Sequence, residues 1–327
     1  MAGVLFFGCA ANGVLLPGAR EVAAAARQLA QALGTSVAGA ILGTGVEKAA
    51  SELGQVAGSD VYFVDDERLK SYLGDAYVAS ANAIVDAAAP DFVLFPQTSE
   101  TNEWVPRLAA RLDAALVTSC TGLVVSGGEI IATKPVSGGA AQAEYTFNRP
   151  LRMAIVAPGS YEPIAHDAVA GRPHRVTAPE INTRVQVLED IADPVGAGPQ
   201  LKSARVVISG GLGIGSKENW KLIDDAAAAL GAGVGGSRAV VELGWIPPSK
   251  QVGFSGVKIR PDVYLAVGIS GAVHHLAGIS GAKTVVAINN DPDANIYRVA
   301  RFGVVGDAKE VLPAFVARVK ELCAQNG

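Results

Sequence analysis

The stretch 263–291 constrains the fold more than any other part of this sequence. An apolar run, VYLAV at 263–267, ends at the glycine-bounded turn GISG at 268–271, and a second apolar run follows at 284–288. Two buried runs separated by a tight turn and a short helical segment are typical of a strand–helix–strand unit with parallel strands. In such a unit, unpaired backbone N–H groups at the start of the helix bind phosphate-bearing ligands. The stretch therefore predicts a ligand-binding turn.

Strand-like runs and helical patterns alternate along most of the chain, from residue 3 to 112 and again from 205 to 322. This alternation predicts parallel sheets covered by helices on both faces, and hence the α/β fold class. Between 115 and 156 the pattern changes to short strand-like runs, which predict an antiparallel or mixed extension of the first sheet. One more strand is predicted at 184–188.

The chain has 327 residues, which is enough to build two hydrophobic cores. Proline, glycine and small polar residues are concentrated at 158–199, a segment that ends in DPVGAGPQ. We therefore predict an N-terminal α/β domain with a mixed-sheet extension at 1–192, a linker at 193–203, and a C-terminal domain at 204–327. The C-terminal domain is expected to be a doubly wound, Rossmann-like parallel sheet.

Composition excludes several classes of function. A net charge of -4 without a Lys/Arg-rich run gives no electrostatic reason to bind nucleic acid. The cysteines, Cys9, Cys120 and Cys323, are widely spaced and form no CxxC motif, so neither disulfides nor a thiolate metal site are expected. No basic leader precedes the first strand-like run, and no apolar run reaches membrane-spanning length. We expect a cytoplasmic protein that does not insert into a membrane.

Polar or glycine-rich clusters follow five successive strands of the C-terminal domain. They are SGGLGIGS at 209–216, GGSR at 235–238, SG at 270–271, NND at 289–291 and GD at 306–307. Because the carboxyl ends of parallel strands meet at one edge of a sheet, these clusters are predicted to line a single ligand groove.

Each cluster also has a purely structural interpretation. Glycine-rich turns occur without ligands, and GGLGIG lacks the usual dinucleotide-binding spacing. The run NNDP at 289–292 can cap a helix that begins near Asp293, Asp307 can cap the last helix, and Arg238 can form a surface ion pair. His274 and His275 are adjacent, so on a helix they point about 100° apart and cannot both bind one metal ion.

Three segments resemble a known family. VGFSG at 252–256, YLAVGISGAVHHLAG at 264–278 and VAINNDP at 286–292 closely resemble the signature of the alpha subunit of electron transfer flavoprotein. That family reads VGQTG or VGQSG, GISGAIQHLAG and VAINKDP at these places. The resemblance extends upstream to SGGLGIGS and GGSRAVVELGW and, more weakly, to 105–122, so it covers nearly the whole chain.

This resemblance implies a heterodimer with an electron transfer flavoprotein beta subunit, in which the C-terminal domain holds FAD. Electrons would pass from flavin dehydrogenases, such as the acyl-CoA dehydrogenases of fatty acid oxidation, to a quinone oxidoreductase or another acceptor. No catalytic residue and no metal ligand are expected. The alternatives are a subunit of an electron-bifurcating NADH-linked complex, a stand-alone NAD- or FAD-dependent oxidoreductase, and a structural subunit that has lost its flavin.

The resemblance also assigns roles to single residues. Arg238 would lie by the isoalloxazine ring, Ser255 near flavin N5, and His275 at the N1/C2-carbonyl edge as an imidazolium or N–H donor. Ser270 and Gly271 would contact the ribityl and pyrophosphate groups, and Asn289 and Asp307 the adenosine end. The full predicted cofactor set is Ser237, Arg238, Val252, Gly253, Phe254, Ser255, Ser270, Gly271, Ala272, Val273, His274, His275, Asn289 and Asp307.

The sequence departs from the family pattern at three positions. Leu212 stands where the family usually has arginine, Phe254 replaces the glutamine of VGQTG, and His274 replaces the glutamine of GAIQH. These changes predict an FAD site of altered polarity, with a shifted flavin potential or a different redox partner.

Overall fold

The computed structural model describes residues 3–11, 13–139, 141–164, 171–189, 201 and 204–326. The chain divides into two compact units, Met1–Ala192 and Asp193–Gly327. Of the predicted linker at 193–203, all but Leu201 lies outside the described residues, so the predicted domain bounds stay a prediction.

The first unit is built on a seven-stranded parallel sheet with the strand order β12-β5-β4-β1-β6-β11-β7. Its strands are β1 (Val4–Phe7), β2 (Ala10–Ala11), β3 (Val14–Leu15), β4 (Val37–Gly43), β5 (Val61–Asp65), β6 (Phe92–Pro96), β7 (Ala115–Cys120), β8 (Gly122–Ser126), β9 (Glu129–Val136), β10 (Ala141–Tyr145), β11 (Arg152–Val156) and β12 (Pro173–Arg175). Its helices are α1 (Gly18–Leu33), α2 (Glu47–Ala57), α3 (Gly74–Ala88) and α4 (Ser99–Arg111).

Side chains of β1 show how this sheet builds two cores. Val4 and Phe6 point to the face covered by α1 and α2, whereas Leu5 and Phe7 point to the face covered by α3 and α4. All four are almost fully buried, as expected for a central strand whose side chains alternate between two covered faces.

Two predictions for this unit are wrong in detail. Strands β8, β9 and β10 form a separate three-stranded antiparallel sheet rather than an extension of the main sheet, whereas β7 joins the main sheet in parallel. The short loop between β8 and β9 closes a hairpin, which pairs these strands locally. Residues 184–188 form no strand, and the edge strand in this region is β12 instead.

The second unit has a five-stranded parallel sheet with the order β14-β13-β15-β16-β17. Its strands are β13 (Val206–Gly210), β14 (Gly233–Gly236), β15 (Val263–Val267), β16 (Thr284–Asn289) and β17 (Phe302–Val305). Its helices are α5 (Lys221–Leu230), α6 (Arg238–Glu242), α7 (Val273–Ile279) and α8 (Ala308–Asn326). The predicted α/β class and the doubly wound sheet are confirmed.

The strand order of this sheet indicates the edge at which a ligand is expected to bind. Chain order reverses between β13 and β15, which is the topological switch point at which open α/β sheets bind ligands. Along β15, Leu265 and Val267 face the core beneath α5 and α8, while Tyr264 and Ala266 face the side of α7 and the 252–259 segment. The loops that follow the strands therefore meet above the switch point.

Within the described part of the chain, no helix combines the length and the hydropathy needed to cross a lipid bilayer.

Candidate functional site

A cavity of about 90 Å³ opens at the carboxyl edge of the second sheet. The loops after β13, β15, β16 and β17 form its walls. The lining residues are Gly213, Ile214, Gly215, Gly268, Asn289, Asn290, Gly306, Asp307, Ala308 and Lys309. Pockets that enclose a whole drug-sized ligand usually measure about 300–1,000 Å³, so this cavity matches only one part of a dinucleotide.

Two glycines bring the walls of this cavity together at the switch point. A Cβ atom on Gly213 would lie 2.7 Å from the Gly268 Cα, and a Cβ on Gly268 would lie 2.7 Å from the Gly213 carbonyl carbon. Gly268 also has a φ of 63°, in the left-handed region that favours glycine. The loops after β13 and β15 touch through their backbones, which exposes polar backbone groups to the cavity.

Gly271 has a similar role one turn later. It has a φ of 80°, and a Cβ atom there would lie 2.2 Å from the Ile296 nitrogen. The neighbouring carbonyl of Ser270 accepts a 3.1 Å hydrogen bond from the same nitrogen. The predicted phosphate-binding turn is therefore held against the 3₁₀ turn Asn295–Arg298, while the Ser270 side chain stays exposed.

Asn289 lines the cavity, but its buried side chain also holds the surrounding loops. Its amide nitrogen donates to the Ile269 carbonyl at 2.9 Å, and its Oδ1 accepts a 3.0 Å bond from the Asp291 backbone. The helix predicted near Asp293 is instead a 3₁₀ turn at Asn295–Arg298, and within the 289–292 run it is the Asp291 carboxylate that accepts a 3.0 Å hydrogen bond from the Asp293 backbone. Asn289 shapes the loop after β16.

Asp307 and Lys309 lie where α8 begins at the cavity. The Asp307 Oδ1 accepts a 2.8 Å hydrogen bond from the Lys309 backbone nitrogen, so this carboxylate caps the helix as the structural interpretation predicts. The other carboxylate oxygen of Asp307 can contact a ligand while Oδ1 stays in the helix cap. Among the described residues that line the cavity, Lys309 is the only Lys or Arg.

A second group of predicted residues surrounds α7. The 252–255 loop packs on this helix through a 2.7 Å hydrogen bond from the Phe254 nitrogen to the His274 carbonyl. The rings of Phe254 and His274 lie 5.9 Å apart, and the Lys258 ammonium lies 5.2 Å from the Phe254 ring centre. Two of the three residues that depart from the family pattern, Phe254 and His274, are thus in contact with each other. Ser255 is exposed and accepts a 3.0 Å bond from Gln251.

His275 is buried in the same group. Its Nε2 lies 2.8 Å from the hydroxyl of Tyr264, a fully buried residue of β15. Burial lowers the pKa of His275 from 6.5 to about 4, and the backbone of Val252 opposes this effect only in part. The imidazole is therefore neutral at pH 7, and of the two roles predicted for it, the environment favours an N–H donor over an imidazolium.

The remaining predicted residues lie at the edges of these groups. Val252 and Gly253 are buried beneath the loop, and Ala272 and Val273 are exposed at the start of α7. Ser237 precedes α6 and donates from its backbone to the Gly210 carbonyl at 3.0 Å.

The Arg238 side chain is mostly exposed. Its Nε pairs with Glu242 one helical turn away at 2.7 Å. This is the surface ion pair weighed as an alternative.

The structure also places residues at the site that the sequence reasoning missed. Lys309 lines the cavity, and Tyr264 supports His275. Gly213, Gly268 and Asn290 also line the cavity, and they belong to the turns and clusters that the sequence predicts at this edge. Lys309 and Tyr264 had no comparable signal, because one lies inside a helix pattern and the other inside an apolar strand.

Comparison with known proteins agrees with these features. Residues 200–280 match the family model of the electron transfer flavoprotein FAD-binding domain, and residues 4–182 match that of the electron transfer flavoprotein domain.

Curated relatives match along almost the whole chain. Protein FixB of Clostridium saccharobutylicum is 35% identical over 98% of this chain and 97% of its own length. The electron transfer flavoprotein subunit alpha of Thermoanaerobacterium thermosaccharolyticum is 36% identical over 95% and 96%, and that of Bacillus subtilis (strain 168) is 32% identical over 88% of each chain. The chain therefore belongs to the electron transfer flavoprotein alpha subunit family, and its second unit is the FAD-binding domain of that family.

Proposed function

We propose that this chain pairs with an electron transfer flavoprotein beta subunit and carries electrons on one FAD. The donors in this proposal are flavin dehydrogenases such as acyl-CoA dehydrogenases, and the acceptor is a quinone oxidoreductase or a similar redox protein. Residues 1–192 face the beta subunit, 193–203 are the linker and 204–327 hold the cofactor. The cytoplasmic location that we propose rests on the three widely spaced cysteines.

The observation that carries this proposal is the cavity at the switch point of a domain that matches the FAD-binding model. Gly213, Gly268 and Gly306 contribute only backbone to its walls, and α8 begins at its edge. Helix N-termini and close-packed glycine loops bind phosphate because N–H groups and the positive end of the helix dipole point outward. The residues present therefore fit the phosphate-bearing part of FAD.

The group around α7 fits the other part of the cofactor. Phe254 and Ser255 present an aromatic ring and a hydroxyl on an exposed loop, and the buried His275 has an Nδ1 atom that makes no hydrogen bond within the described residues. FAD, when bound, supplies one- and two-electron chemistry. The chain itself supplies the binding groups, an N–H donor at His275 and the positive charge of Arg238, and it needs no nucleophile or general base.

Lys309 provides a sharp test of this placement. An ammonium group beside a phosphate in an open site contributes about 1 kcal/mol, so Lys309→Gln should weaken FAD binding about fivefold. Lys320→Gln is the matched control, because it removes the same charge from the same helix but lies about 16 Å further along its axis. The heterodimer is purified with the beta subunit, and the FAD dissociation constant is measured by fluorescence titration.

Three outcomes decide the matter. Flavin bands in the purified heterodimer, with weaker binding only in Lys309→Gln, support both the function and the site. A folded heterodimer that takes up no flavin would refute the carrier function. Equal FAD affinities in the two lysine variants would show that the phosphate groups do not bind at the α8 end of the cavity.

A further inference from the structure

Tyr264 and His275 form a buried pair behind the α7 group. The tyrosine comes from the middle of the sheet and is 0% exposed, and the histidine is 6% exposed. The tyrosine oxygen lies 2.8 Å from Nε2 of the imidazole. A hydrogen bond therefore joins them, and its direction decides which imidazole nitrogen carries the proton.

Both groups are neutral at ordinary pH. Burial raises the pKa of the Tyr264 hydroxyl and lowers that of His275, so neither ionises near pH 7. The pair then contains one O–H and one N–H proton, and only two arrangements are available. The hydroxyl donates to Nε2 and the proton is on Nδ1, or Nε2–H donates to the hydroxyl oxygen and Nδ1 has none.

The surroundings of Nδ1 favour the first arrangement. The Val252 backbone raises the pKa of His275. A nearby hydrogen-bond acceptor has this effect, whereas a nearby donor does not. The Val252 N–H donates to the Gly236 carbonyl, so the Val252 group near the imidazole is its carbonyl oxygen, although Nδ1 makes no hydrogen bond of ordinary geometry within the described residues. An N–H at Nδ1 is attracted to that oxygen, whereas a lone pair there would be repelled.

The surroundings of the tyrosine favour the same arrangement. If Nε2–H were the donor, the buried Tyr264 hydroxyl proton would need another acceptor. The Ser209 hydroxyl lies near it, but across the described chain Oγ of Ser209 makes no hydrogen bond of ordinary geometry. A buried donor without an acceptor is costly. When the hydroxyl donates to Nε2, only Nδ1–H is left without a hydrogen bond of ordinary geometry among the described residues. The reverse arrangement leaves both the tyrosine O–H and the Nδ1 lone pair unpaired.

We propose that Tyr264 is a positioning residue that fixes His275 in the Nδ1–H tautomer and so presents an N–H donor toward the 252–255 loop. A single net hydrogen bond is enough to favour one tautomer about tenfold.

The consequence for the cofactor rests on the proposed function. The 252–255 loop carries Phe254 and Ser255, which we place at the flavin ring. A fixed N–H donor near that ring stabilises negative charge that develops on it, and it does so without a buried positive charge.

The tautomer can be read directly by nitrogen-15 NMR of the heterodimer labelled at histidine. The chain has four histidines, and His275→Gln identifies the wanted signals. The expected pattern is a pyrrole-type shift for Nδ1 and a pyridine-type shift for Nε2 of His275. The reverse pattern would overturn the proposal. This measurement needs no flavin, so it stands even if the heterodimer binds none and the proposed function fails.

Tyr264→Phe removes the hydroxyl and keeps the ring. We expect the tautomer ratio to fall from about tenfold toward equal populations and the flavin reduction potential to decrease. Ser209→Ala is the control, because it removes a neighbouring buried hydroxyl that does not bond the imidazole. An unchanged tautomer ratio in Tyr264→Phe would overturn the positioning role. A changed tautomer ratio with an unchanged flavin reduction potential would overturn the proposed effect of the His275 tautomer on the flavin. If Tyr264→Phe does not fold, the wild-type shift pattern decides.

Discussion

The close approach of the loops after β13 and β15 makes Gly268→Ala a demanding test of the site. The added Cβ atom would lie 2.7 Å from the carbonyl carbon of Gly213 and 2.8 Å from the nitrogen of Ile214. Both atoms are backbone, so no side chain can rotate away to make room. The φ of 63° adds strain of its own for any residue with a Cβ.

Gly231→Ala separates these two costs. Gly231 has nearly the same φ, 61°, and its Cβ would meet nothing within 4 Å. The left-handed conformation costs about 1–2 kcal/mol, part of which is offset by reduced freedom of the unfolded chain. We expect about 1 kcal/mol for Gly231→Ala. Overpacking against backbone adds about 1–3 kcal/mol at Gly268, so Gly268→Ala should cost about 2–4 kcal/mol.

Urea-induced unfolding of the heterodimer, followed by tryptophan fluorescence, measures this difference. With a slope of about 2 kcal/mol per M, the midpoint of Gly268→Ala should lie about 0.5–1.5 M below that of Gly231→Ala. FAD affinity should fall only in Gly268→Ala, because Gly231 precedes β14 and lies at the opposite edge of the sheet. Equal midpoints and equal affinities would refute the argument that these backbones must touch to form the site.

Three further predictions concern single side chains. Burial lowers the pKa of His275 from 6.5 to about 4, so its contribution to folding stability is complete above pH 6.5 and is lost as the pH falls toward 4. This loss reaches about 3 kcal/mol, and His275→Gln should remove that part of the pH dependence of the urea midpoint; an unchanged dependence would contradict the burial argument. Arg238→Ala should change stability by less than about 0.5 kcal/mol, since its ion pair is exposed, but should lower the flavin potential in a redox titration, whereas Glu242→Ala should not. A flavin potential that is the same in Arg238→Ala and wild type would show that Arg238 does not lie by the flavin ring. Leu212→Arg should tighten FAD binding at low salt, because this side chain is 52% exposed and follows the first strand; unaltered affinity would show that it does not reach the cofactor.

The fold was readable from the sequence where local and global signals agree. The bounds of β15 match the apolar run VYLAV, because a buried parallel strand is a continuous hydrophobic segment. The signals failed where a strand-like run does not show which sheet the strand joins. Strands β8–β10 look like further members of the main sheet, and only their hairpin pairing separates them from it.

The site shows the same division. The glycine and polar clusters after the strands are local features, and their meeting at one edge follows from parallel topology. Tyr264 and Lys309 are different, because a tyrosine in an apolar strand is ordinarily core and a lysine in a helix is ordinarily solvated. Nothing in their sequence neighbourhood indicates His275 or the cavity.

By itself, the sequence determined the α/β class and the family, and it predicted the edge of the sheet for the ligand, because hydrophobic period and glycine turns are properties of short segments. Only the tertiary structure decided which polar groups are already used. In the structure, Asp307 caps a helix, Arg238 forms a surface ion pair and His275 is hydrogen-bonded to a buried tyrosine. These pairs are close in the sequence, so local spacing permits each contact. Whether the contact forms depends on the packing around it and on burial, which sets the cost of leaving a hydrogen bond unmade.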